Sequence, residues 1–184
     1  MGDPLGFMAH RRYHLPMATD LITIRSARAE DAEALASAHA DAWRLAYRGV
    51  IPHLHLERMV TRRGAKWWAS AIKRRAPVLV LEYDGDAVGY TTFGRSRMRH
   101  TPYQGEIFEI YVSPIYQGLG FGARLFRAAR SALQDARLGG LVVWALADNE
   151  LACNFYLSLG GQPISEGTET YGKTTLRKIA FAWN

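Results

Sequence analysis

A single cysteine, Cys153, in a chain of 184 residues leaves no partner for an internal disulfide and fits a reducing, cytoplasmic setting. No apolar run approaches the roughly 18 residues that a membrane span requires, so no membrane role is expected. There is no internal repeat and no long block of one charge. The 23 Lys and Arg outnumber the 17 Asp and Glu, giving a formal charge of +6, but they occur in short groups such as Arg62-Arg63 and Lys73-Arg74-Arg75. Such an excess suits an anionic partner, and a phosphate-rich small molecule meets it as readily as nucleic acid does; the dispersal disfavours nucleic acid. His53 and His55 have neither a Cys nor an acidic cluster beside them, so no metal is expected. Residues 1–20 mix Gly, Pro, His and Arg without the apolar stretch of a secretory signal. They read as an N-terminal arm, or as an appended or upstream segment before a start at Met17. A single domain is expected over 21–184.

What is present is a mixed α/β pattern. Leu21 to Ile24 is a short β-rich run, and Leu35, Ala38, Ala42, Leu45 and Ala46 recur at helical spacing within 29–47. Gly49 and Pro52 close that helix; two more helical stretches follow over 54–63 and 65–74. The period then changes. Val78 to Tyr83 and Ala87 to Phe93 read as a hairpin around Asp84-Gly85-Asp86, and Glu106 to Ser113 as a further strand. A helix is expected from the glycine-rich 117–122 to about Leu138. Leu141 to Ala147 is apolar enough for a central strand covered on both faces. A helix over 149–159 and two last strands flanking Tyr171-Gly172-Lys173 complete the chain.

The informative segment runs from Glu106 to Phe126, where a strand meets a turn carrying Gly118, Gly120 and Gly122 and passes directly into a helix. Glycines let backbone approach a ligand closely, and free amides at a helix start attract phosphate oxygens. Such a turn can cradle a pyrophosphate, or it can be a tight lead into the helix and nothing more. A Walker loop is excluded, because Gly122 is followed by Ala123-Arg124 instead of Lys-Ser/Thr. The two-residue spacing of the glycines also departs from the dinucleotide-binding fingerprint.

Gln117-Gly118-Leu119-Gly120-Phe121-Gly122 resembles the Gln/Arg-x-x-Gly-x-Gly/Ala signature of the GNAT superfamily of N-acetyltransferases, and Ile110-Tyr111-Val112-Ser113-Pro114 resembles the strand that precedes it there. Asn149, Phe155-Tyr156 and Gly160 are similar to that superfamily's second cofactor motif, and the order of elements agrees from Leu21 onward. The resemblance implies a mainly antiparallel central sheet flanked by helices and splayed where acetyl-CoA binds. It implies transfer of an acetyl group to an amine-bearing small molecule or protein, with acetyl-CoA as cosubstrate and a homodimer as one assembly the superfamily forms.

The same resemblance assigns roles. Backbone groups of Ile110 and Val112, with Tyr111 between them, would hold the pantetheine arm. The amides from Gln117 to Gly122, with Ala123 and Arg124 close by, would hold the pyrophosphate. Asn149 and Asn154 are candidates for polar contacts to pantetheine, and Asn149 is equally suited to cap a helix. Tyr156 would protonate the departing thiolate, or else be a packed helix aromatic. Glu106 is preferred to Glu109 as the base; strict alternation would put the two on opposite faces of the strand. Trp43, Tyr47, Trp67 and Trp68 fall where the superfamily builds its acceptor pocket, and ordinary core packing is the alternative for each. Trp144 stands where a branch that acylates protein N-termini has a glutamate, which argues against that branch. Cys153 lacks a base partner and reads as a small packed residue. Two competing readings are an acyl-CoA-binding sensor without turnover and an acetyltransferase acting on aminoacyl-tRNA.

Overall fold

Alternating apolar and polar residues produce seven strands that pair into one sheet: β1 Ile22–Ser26, β2 Val78–Tyr83, β3 Asp86–Arg95, β4 Gly105–Val112, β5 Leu141–Leu146, β6 Gln162–Tyr171 and β7 Thr174–Trp183. The computed structural model describes residues 21–184; the expected arm over 1–20, with its alternative start at Met17, lies outside the described residues. Strand order is β1-β2-β3-β4-β5-β7-β6, and every neighbouring pair is antiparallel except β4 and β5. Asp84 and Gly85 both take positive φ, so the β2–β3 turn is of the primed kind whose twist matches its strands. β5 is buried along nearly its whole length, as a strand between two neighbours and two helical layers should be.

Three helices, α1 Ala32–Tyr47, α2 His53–Arg62 and α3 Ala65–Lys73, cover one face; α4 Phe121–Asp135 and α5 Glu150–Ser158 cover the other. On the first face Leu35 and Trp68 pack on Val80 and Tyr90, and Trp43 packs on Leu56, Val60 and Leu146. On the second, Phe126, Ala129 and Leu133 of α4 and Tyr156 of α5 pack on Ile107, Val143 and Phe181. Full burial of a side chain such as Leu125 contributes about 1.5–3 kcal/mol. α4 stops three residues short of the expected Leu138. Arg137 turns to a left-handed φ and the Leu138 amide reaches back to the Leu133 carbonyl, which closes the helix end.

Two irregularities in β4 shape the rest of the molecule. Its pairing with β3 shifts register: Thr92 faces Glu109 and Phe93 faces Ile107, leaving Phe108 as an extra residue. In consequence Ile107 and Ile110, three residues apart, both pack into the layer under α4. Glu106 and Glu109 therefore share the other face, contrary to what strict alternation predicts. The second irregularity is a parting of strands. β4 pairs with β5 only from Gly105 to Ile107, so Phe108 to Val112 has no partner on that side. The sheet is splayed there, as expected.

Candidate active site

The parting of β4 from β5 opens a groove of about 450 Å³. One wall is Ile110, Tyr111 and Val112; the other is α5, through Ala152, Phe155 and Tyr156; Ala42 and Ala46 of α1 lie at its base. At one end stands the glycine turn. Gly118 and Gly120 have φ of +79°, and a Cβ on either would meet only open space, so the backbone lies bare toward the groove. Amides from Gly118 to Ala123 donate to no backbone carbonyl, because the first bond of α4 is that of Arg124 to the Gly120 carbonyl. A Cβ at Gly122 would lie 3.3 Å from the Phe155 ring, so this glycine lets α4 and α5 approach. Free amides at the start of a fifteen-residue helix, with no side chain in front of them, fit a pyrophosphate. The Gln117 side chain instead donates to the Val112 carbonyl at 3.0 Å and braces the strand end against the turn.

Asn149 caps a helix, as one of its two expected roles has it. Its Oδ1 accepts the Ala152 amide at 3.1 Å as the cap of α5, and the residue lines the groove. Asn154 is exposed on α5 and stands outside the lining; Leu119 and Arg124 are exposed beside the turn, also outside it. Tyr156 is packed against Phe155, Phe181 and Trp183 and also lines the groove. Burial, and after it the nearby Tyr47, Cys153 and Glu109, push its phenol above the ordinary value, so it carries its proton throughout the neutral range. Burial likewise raises the Cys153 thiol, which leaves it little thiolate at neutral pH.

The two glutamates lie in different surroundings, and neither lines the groove. Glu106 is sealed from solvent, held by the Arg97 amide at 2.7 Å and by its guanidinium at 2.5 and 3.0 Å, at the end where β4 and β5 are still paired. Glu109 adjoins Ile110 at the parting of the strands, ion-paired to Arg63 with the Thr92 hydroxyl 3.4 Å away. Behind Glu109 lies an aromatic layer. Tyr47 and Tyr111 share a hydrogen bond of 2.7 Å with Asn149 close by, and Tyr90 is bonded to His39 Nδ1 at 2.8 Å. His39 has no solvent exposure, and burial followed by the nearby Arg63 charge lowers its pKa to about 3, so the imidazole is neutral.

Of the aromatics expected in an acceptor pocket, Trp43 and Trp68 are core residues, buried against Val60 and Val80 respectively. Tyr47 is partly exposed behind the groove, and Trp67 lies at the surface with the Arg63 guanidinium 4.7 Å from its ring centre. Trp144 is covered by Lys178, whose Nζ sits 4.9 Å from the ring. Sequence reasoning passed over Arg63, Ala42, Ala46 and His39. For His39 a signal existed, since it falls on the same helical stripe as Leu35 and Trp43. For Arg63 there was none, because its partner is 46 positions away. Among the described residues no group of three or more His, Cys, Asp or Glu is placed to hold a metal, and no helix is long and apolar enough to cross a membrane.

A bare amide cradle, an opened strand edge and a protonated tyrosine along one groove agree with a sequence match. Residues 33–160 match the acetyltransferase (GNAT) family. The chain belongs to that family. It is an N-acetyltransferase of the GNAT type, with acetyl-CoA as its cosubstrate. It is 24% identical over 163 residues to the uncharacterized N-acetyltransferase YuaI of Bacillus subtilis, covering 89% of this chain and 93% of that one. It is 40% identical over 81 residues to the N-alpha-acetyltransferase RimI of Mycobacterium tuberculosis, but that covers only 44% of this chain and 48% of the relative. Among solved structures its fold is similar to that of the PaiA N-acetyltransferase of Thermoplasma acidophilum in complex with coenzyme A, with a TM-score of 0.69, 18% identity, and coverage of 85% of this chain and 97% of the other.

Proposed function

We propose that this GNAT protein passes the acetyl group directly from acetyl-CoA to a primary amine within the splayed groove, with Tyr156 as general acid and Glu109 as the group that receives the amine's proton. The observation that carries the reading is the parting of β4 from β5, which sets the free edge of Ile110 to Val112 opposite Tyr156. The amides of Gly118 to Ala123 hold the pyrophosphate, and the strand edge and Asn149 hold the pantetheine. Strand amides beside the thioester carbonyl polarise it. Glu109 takes one proton from the acceptor ammonium, and the freed nitrogen attacks the carbonyl carbon. As the N–C bond forms and the C–S bond breaks, Tyr156 gives its proton to sulfur and is made whole by the second proton that nitrogen sheds. Glu109 is preferred to Glu106 because it adjoins the groove wall, whereas Glu106 is sealed beneath Arg97.

The domain of this proposal is 21–184, and the setting proposed with it is cytoplasmic, which a single cysteine without a disulfide partner suits. The test is CoA release from acetyl-CoA across a panel of amines, wild type against Tyr156→Phe. Amine-dependent turnover that falls about 10²- to 10⁴-fold in the variant supports the general-acid role. Equal rates in the two proteins would remove Tyr156 from it.

A further inference from the structure

We infer that the acceptor is a small zwitterion, an amine with a carboxylate beside it as in a free amino acid, whose carboxylate is received by Arg63 while its ammonium lies against Glu109. This rests on the transfer reading above and adds the substrate class.

The charge inventory of the elements around Arg63 and Glu109 makes the case. Every carboxylate carried by α2, β4 and β6 is already in an ion pair: Glu57 with Arg44, Glu106 with Arg97, Glu109 with Arg63, Glu166 with Arg177 and Glu169 with Lys178. Neither α3 nor β7 carries a carboxylate. A polyamine or other polycation can place one ammonium against Glu109 but finds no unpaired carboxylate on these elements for its further charges. A simple monoamine fares better electrostatically, but when its ammonium takes Glu109 it draws that carboxylate from Arg63 and offers the guanidinium no anion in return. A zwitterion adds no net charge and complements both members of the Arg63–Glu109 pair.

Arg63 is built to be that receiver. It lies between α2 and α3, immediately before Gly64, so backbone geometry and not a flexible loop aims it at β4. One guanidinium nitrogen meets Glu109, which is 8% exposed, while the Arg63 side chain is 31% exposed and rests on the ring of Trp67. A guanidinium has five N–H donors in a planar fork, and the bond to Glu109 uses one of them. The stacking on Trp67 holds the plane of the fork. Glu109 shares its face of β4 with Tyr111, which lines the groove, so an ammonium drawn to Glu109 comes close to the strand edge where the thioester lies in the proposed reaction.

The experiment compares kcat/KM, from CoA release, for a set of L-amino acids, their carboxamides and spermidine, in wild type, Arg63→Gln and Arg63→Lys. The carboxamides keep the amine and mimic the first residue of a peptide. The expected result is a preference for the free acid over its carboxamide of about 10- to 100-fold, as for loss of a charge-assisted hydrogen bond, with spermidine poorest. Arg63→Gln brings the acid-to-amide ratio toward one, and Arg63→Lys retains part of it. The ratio within one protein is insensitive to a general loss of stability, and the wild-type ranking alone decides the question if a variant fails to fold. Turnover of carboxamides or spermidine at least equal to that of the acids would overturn the inference while leaving the transfer reading intact. So would an acid-to-amide ratio unchanged in Arg63→Gln. Absence of turnover with every amine, with CoA still raising the melting temperature, would overturn the transfer reading and the inference with it.

Discussion

The two halves of β4 are made of similar residues and do different things. Each half carries a glutamate, and each glutamate is matched by an arginine: Glu106 by Arg97 of the loop just before the strand, Glu109 by Arg63 from 46 positions away. In the half from Gly105 to Ile107 the strand is hydrogen-bonded on both sides, and Glu106 serves to anchor the loop that carries Arg97. In the half from Phe108 to Val112 one side is free, and Glu109 stands at the margin of a groove. Residue type is thus a poor guide to role here; the strand pairing around the residue decides it. The bulge at Phe108 matters because it brings both carboxylates to one face, so that orientation alone no longer distinguishes them.

Removing the bulge should have the largest effect. Deleting Phe108 restores strict alternation and turns either Ile107 or Ile110 away from the layer under α4, a one-residue slip that reverses every side chain on one flank. Loss of the cooperative melting transition is expected, read by circular dichroism. Glu109→Gln addresses the open half: kcat should fall about 10²- to 10⁴-fold as the proton acceptor is lost, a larger effect than the loss of about 1–3 kcal/mol of stability when Arg63 loses its charged partner. Glu106→Gln should do the reverse. The Arg97 amide and guanidinium lose a charged acceptor, costing about 1–3 kcal/mol in chemical denaturation, while kcat stays within a few-fold.

The effect that is smallest at neutral pH concerns the support behind the open half. Tyr90 pairs across the sheet with Tyr111 and is held by His39. His39 has a folded-state pKa near 3 against an ordinary 6.5, so between these values the unfolded chain binds a proton that the folded chain refuses. Stability from this group is complete above pH 6.5 and is lost as pH falls, at about 1.4 kcal/mol per pH unit. The lowered Asp31 carboxylate, held by Arg25, adds loss of the same sign at lower pH. His39→Gln should flatten the wild-type slope of unfolding free energy against pH in the acid range, and parallel slopes would exclude this linkage.

Much of the scaffold was legible because it is written in local patterns. Helical stripes, strand alternation, the Asp84-Gly85 turn and the glycine run each report on neighbours within a few positions, and they appear where expected apart from the early end of α4 and the broken alternation in β4. The bulge was not legible, because Phe108 is a good strand former and no glycine or proline marks it. Nor were the partners of the glutamates: Arg63 is set by how layers stack, and Arg97 by the path of the irregular loop between β3 and β4. Trp43 and Trp68 show the same limit: their spacing is that of a helix face, and only the packing decided that this face is core.

The interior place of β7 carries a consequence for how the chain matures. Though last in chain order, it lies between β5 and β6, and it supplies the Phe181 and Trp183 rings against which Tyr156 is packed. During synthesis β1 to β5 can associate as they emerge, but α5 then has an unfinished floor and Tyr156 no fixed direction. A nascent chain should therefore acquire its hydrophobic centre well before it can acetylate anything, and competence should arrive in a single late step when residues 174–183 leave the ribosome.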